Sequence, residues 1–172
     1  YDPKAWAEAD KANEPAAKKL ASDFETAFRN THEPTRIKAI SAVSVLNHPL
    51  VVKALGSTLT QGGGAVRIAG VEAMGRMDHR PDAARLLAAA VKPNGKLMDV
   101  LVAIYRAMGS VGDASAVSAL VNELSSRLPK TKGADIPLVQ ACVEALGKIH
   151  DKKAVDALID IWQKGDPEAR PT

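Results

Sequence analysis

The chain has 172 residues, 46% hydrophobic but only 3% aromatic, with a quarter charged and a net charge of +3. That length supplies the core of a single domain, and one cysteine, Cys142, excludes an intramolecular disulfide and a multi-cysteine metal site. No apolar stretch reaches the roughly 20 residues that cross a bilayer, and no block of like charge forms an acidic or basic tail. Alternating β-branched runs are scarce, so the Ala, Leu, Val and Ile supply points to closely packed helices.

Residues 1–15 place Pro3 and Pro15 around an Ala-rich stretch with Trp6, and read as a linker or a loosely attached short helix. The chain opens on Tyr1 without a methionine, the mark of a fragment or of a processed form. A soluble protein is expected, cytoplasmic, or exported if a signal peptide was removed before Tyr1. Leu20, Phe24, Ala27 and Phe28 then recur at helical spacing, an apolar face suited to capping the first full repeat.

From residue 36 the chain repeats itself. "RIKAISAVSVLNHPLVVKAL" (36–55), "VRIAGVEAMGRMDHRPDAARLL" (66–87), "VAIYRAMGSVGDASAVSAL" (102–120) and "QACVEALGKIHDKKAVDAL" (140–158) share one frame. Gly75, Gly109 and Gly147 lie 34 and then 38 residues apart, with Asn47 in the first copy's place. Each unit reads as two helices. Ala69, Val71, Ala73 and Met74, or Ala141, Cys142, Ala145 and Leu146, fill the first at helical spacing. The glycines and Asn47 suit the left-handed residue that closes a helix. Asp82, Asp113 or Ser115, and Asp151 offer oxygens to the free N–H groups opening the second helix. Val117, Leu120, Val121 and Leu124, and then Val155, Leu158, Ile159 and Trp162, form the second stripe. Helix pairs with a period in the thirties predict an all-α solenoid, in which each unit buries its face against its neighbours.

The connectors divide into plain and unusual ones. "TQGGGAV" (60–66) lacks the strand before it and the Lys-Ser/Thr after it that a phosphate loop needs. "KPNGK" (92–96) is an ordinary turn. "RLPKTKGADIP" (127–137) is longer and basic, and its 129–137 stretch is the natural place for a function-specific insertion. "GDPEARPT" (165–172) echoes "HEPTRIKAI" (32–40), the start of a first helix, so residues 166–172 are expected to begin a further repeat of a longer chain, with a vestigial tail as the alternative.

"VRIAGVEAMGRM", "VLVAIYRAMGSVGDASAVSALVNEL" and "LVQACVEALGKIHDKKAVDALIDIW" resemble the HEAT-like repeats grouped with phycobilisome lyases. The resemblance spans about residues 34–165 and implies a right-handed α-solenoid of about four to five helix pairs within residues 16–165. It also implies an arginine near the start of the first helix; Arg67 fits, whereas Leu101 and Val139 stand there in the next two copies. Function is not implied by such repeats, which carry many roles.

The ionisable residues do not read as a catalytic set. His48, His79 and His150 fall in the turns between paired helices beside Asp78, Asp82, Asp113 and Asp151, with His32 elsewhere. Neighbouring helices sit roughly 10 Å apart, too far for ligands about 2 Å from one shared ion. These residues read as solvated turn histidines and helix-capping aspartates. Cys142, in an apolar run, reads as a buried thiol. No GxSxG, HExxH or paired-cysteine motif occurs, and Glu72 and Glu144 occupy one repeated position, a structural slot. No catalytic residue, cofactor or metal is therefore expected. Nucleic acid is disfavoured too, because the second-helix column Lys53, Arg85, Ser118, Asp156 turns from basic to acidic and no aromatics interleave.

The sequence thus favours a non-catalytic scaffold that binds a protein partner through the outward side of its second helices, at Lys53, Arg85, Lys92, Asn122, Glu123, Asp156 and Asp160. The alternative is an accessory or lyase-like chaperone of a cofactor-bearing protein, with a nucleic-acid-binding solenoid behind it.

Overall fold

The computed structural model describes residues 2–78, 80–128 and 135–164, except for the side chains of Trp162 and Lys164. Among these residues there are nine α-helices and no strand. They are α1 (Pro3–Phe28), α2 (Glu33–Val43), α3 (Pro49–Leu55), α4 (Gly64–Gly75), α5 (Pro81–Val91), α6 (Met98–Val111), α7 (Val117–Arg127), α8 (Ile136–Ile149) and α9 (Lys152–Lys164). Short 3-10 turns extend α3, follow α5 and precede α7. His79, "GDPEARPT" and most of the 129–137 stretch lie outside the described residues.

The helices fall into two rows. The first helices α2, α4, α6 and α8 pack each on the next, and α1, α3, α5, α7 and α9 form the companion row. Burial follows from this placement. α6 buries Val100, Leu101, Ile104, Tyr105, Ala107, Met108, Gly109 and Val111 on several sides, whereas α7 buries one stripe of Val117, Leu120 and Leu124. Ala-rich first helices suit the inner position, since small side chains let backbones approach.

Three expectations need correction. Residues 3–15 are not a separate linker or short helix: they are the first half of the 26-residue helix α1, which runs through Pro15. The proline removes one helical hydrogen bond, and contacts further along hold the helix in place. Second, Gly75, Gly109 and Gly147 do not close helices in the left-handed region. Gly109 and Gly147 lie inside α6 and α8, and the left-handed residues that close these two helices are Gly112 (φ 68°) and His150 (φ 51°). The repeat glycine serves close approach instead. A Cβ on Gly109 would lie 2.6 Å from Ala145 Cα, so only glycine lets α8 sit this near α6. Third, the cap of α5 is Arg80, whose side chain makes no capping bond, and Asp82 sits in the first turn. Asp113 and Asp151 do cap, accepting from Ser115 N at 2.9 Å and Lys153 N at 2.8 Å.

Candidate partner-binding surface

Shallow grooves run between successive members of the companion row. Lys18, Ala21, Ser22 and Glu25 of α1 face Leu50, Lys53, Ala54 and the adjoining Ser57 across the first. Between α3 and α5, Pro49, Leu50, Val52 and Leu86 make an apolar floor rimmed by Lys53, Asp82 and Arg85, with a volume of about 480 Å³. Between α5 and α7, Ala88, Val91 and Ala119 lie under Lys92, Asn122, Glu123 and Arg127, in about 510 Å³. The grooves arise because α3, α5 and α7 bury one stripe each and turn their remaining residues outward.

Five of the seven residues expected on this surface therefore line consecutive grooves: Lys53, Arg85, Lys92, Asn122 and Glu123. Asp156 and Asp160 are exposed on α9, beyond the last groove. Their surroundings differ. Arg85 is ion-paired to Asp82 one turn earlier on its own helix. Glu123 is half-buried and serves the interior: it accepts a hydrogen bond from the Tyr105 hydroxyl at 2.6 Å and from Arg127 Nε at 3.0 Å. Arg127 also reaches Asp135 at 3.3 Å, so this set ties α6, α7 and the start of α8 together.

Burial and the carboxylate of Glu123 push the Tyr105 phenol well above its usual range. Burial, aided by the same carboxylate, pushes the Cys142 thiol up to about 12. A thiol held so far from ionisation is a packing group, as its position in the apolar run implies.

The turn residues hold a second polar set that local sequence patterns do not single out. Arg80, only 8% exposed, grips both carboxylate oxygens of Asp10 at 2.6 and 2.7 Å. It also donates to Asn47 Oδ1 and Asn47 O at 2.8 Å and lies over the Trp6 ring at 4.3 Å. His48 is buried and not a solvated turn residue. Its Nδ1 accepts from Leu50 N at 3.1 Å, which leaves Nε2 to donate to Asp10 O at 3.0 Å. Together these groups fasten the first half of α1 to two turns, which is why a chain broken by Pro15 stays helical.

Nor is "KPNGK" a plain turn. Asn94 is fully buried and donates to Leu59 O and Ala90 O at 2.9 and 2.8 Å. Its Oδ1 accepts from Arg67 Nη1 at 2.8 Å. The arginine that the family resemblance picked out thus meets an asparagine side chain, and its Nε donates to Gly62 O at 3.1 Å. A bulkier turn residue than asparagine would leave three partners unsatisfied, which explains the Asn but could not be read from composition.

Among the described residues no helix is long and apolar enough to cross a membrane, and no cluster of three His, Cys, Asp or Glu could hold a metal ion. No curated protein matches the chain. Residues 139–161, most of α8 and the larger part of α9, match the model of the PBS lyase HEAT-like repeat, within a chain whose described residues form helices and no strand.

Proposed function

We propose that the chain is a non-catalytic interaction module, a right-handed α-solenoid whose companion-row face binds a protein partner. The observation that carries this reading is the run of grooves from α1 to α7, with apolar floors and charged rims. Apolar floors supply the area an interface buries, and rim charges set register and exclude wrong partners. The groove edges carry Lys18, Lys53, Arg85 and Lys92 beside the acidic Glu25, Asp82 and Glu123, and beyond the last groove α9 exposes Asp156 and Asp160. A partner surface that is acidic where it meets Lys53, Arg85 and Lys92 complements these edges.

The test is the triple variant Lys53→Glu, Arg85→Glu and Lys92→Glu, with Val143→Arg on a different face as control. Partner capture from a native extract is expected to fall at least tenfold in the triple variant and to persist in the control, with both folds intact by circular dichroism. Undiminished capture by the triple variant would overturn the surface. A lyase-like role on a cofactor-bearing protein is the second reading. It rests on the name of the matched repeat, and a chromophore absorbance that copurifies with the protein would favour it.

A further inference from the structure

The outward face of α8 and α9 is, in the repeat register, the face that earlier units use to receive their neighbours. A Cβ on Gly75 would lie 3.2 Å from Ala107 Cβ, and one on Gly109 would lie 3.0 Å from Ala145 Cβ. Gly147 is third in this series, and among the described residues nothing stands within 4 Å of a Cβ placed on it. The residues beside it repeat the contrast at the 38-residue offset. Tyr105 is fully buried while its counterpart Val143 is 41% exposed; Val117 is 4% exposed while Val155 is 51% exposed. Ile159 adds to the same apolar surface at 48%.

This surface therefore continues the interface that α4 makes with α6 and α6 makes with α8. The chemistry of its occupant is written in the two filled sockets: a first helix that brings an alanine against the glycine, followed by a second helix in the companion row. We infer that the α8–α9 face docks a helix pair of this repeat's own pattern, whose first helix seats an alanine on Gly147. A larger side chain at that contact could not approach a glycine as Ala107 and Ala145 do.

The experiment extends the full chain after Thr172 with a second copy of residues 136–164, which carries its own Ala145. Residues 165–172 then form a connector of the same length as 128–135 between α7 and α8. The docked copy is expected to give one cooperative unfolding transition, its midpoint raised by about 5 °C or more, with slow amide exchange in the added helices. Gly147→Leu in the original unit should leave the unextended chain folded with an unchanged or higher midpoint. In the extended chain it should release the copy. Random-coil exchange in the added helices, or a Gly147→Leu substitution without effect there, would overturn the inference. So would a dimer of the unextended chain that Val143→Arg dissociates, since the occupant would then be a second copy. Faster exchange of α8 amides on truncation after Lys164 would likewise overturn it, because the chain's own tail would be the cover.

Discussion

At its N-terminal end the molecule lays α1 across α2 and α3, burying Ala17, Phe24 and Phe28, and fastens the helix through Arg80 and Asp10. At the other end, α8 and α9 leave Val143, Val155 and Ile159 exposed, with no described residue within 4 Å of a Cβ on Gly147. Both ends offer apolar helix faces; among the described residues, the difference is whether another helix adjoins in the row. In a chain of repeats, exposure belongs to the position of a unit and not to its sequence, so the same register residue is core in one copy and surface in the next.

The sharpest way to break this comparison is to truncate two register counterparts. Tyr105→Ala should cost about 3–5 kcal/mol, the usual loss for a buried aromatic, while Val143→Ala should cost about 1 kcal/mol or less. Urea unfolding of the two variants measures both, and equal losses would mean that the copies are not equivalent.

At the closed end, Arg80→Ala should cost about 3 kcal/mol, because it leaves a carboxylate and a carbonyl in partly buried surroundings without a donor. Hydrogen exchange should then show protection lost across residues 3–15 and retained in α6 and α8. Uniform loss would mean that α1 is held by its apolar face alone.

A pH scan probes the covered α6–α8 contact. Both Tyr105 and Cys142 are raised, Cys142 to about 12. The unfolded chain therefore releases these protons at lower pH than the folded one. Stability is full below the ordinary thiol range near pH 8.5–9 and falls as pH rises beyond it, by about 1.4 kcal/mol per pH unit for each group. Melting followed from pH 8 to 11 in reductant should show this decline, and Cys142→Ala should delay its onset towards the tyrosine range near pH 10. A midpoint flat to pH 11 would contradict the burial argument.

How much of this was legible in the residues depended on distance along the chain. The helix pairs, their stripes and two of the aspartate caps follow from local periodicity, which one sequence displays in full. The role of the repeat glycine did not follow, because closing a helix and admitting a neighbouring backbone ask for the same residue, and only Ala107 and Ala145 beside it decide between them. Arg80, Asp10 and Asn47 were missed for a related reason: the pairs lie 70 and 33 residues apart, outside any local window. Lys53, Arg85, Lys92 and Asn122 are exposed, as repeat register alone predicts for outward positions. Glu123 shared that register, yet a tyrosine on the preceding helix draws it inward.

The row of helices rests on filled and unfilled glycine sockets, and one pair of substitutions tests that directly. Thermal and urea unfolding of Gly109→Ala and Gly147→Ala should move in opposite directions. Gly109→Ala should lose about 1–3 kcal/mol, since its methyl meets the α8 backbone. Gly147→Ala should gain about 0.5–1 kcal/mol from helix propensity with nothing to strike. Two changes of the same sign would contradict the account.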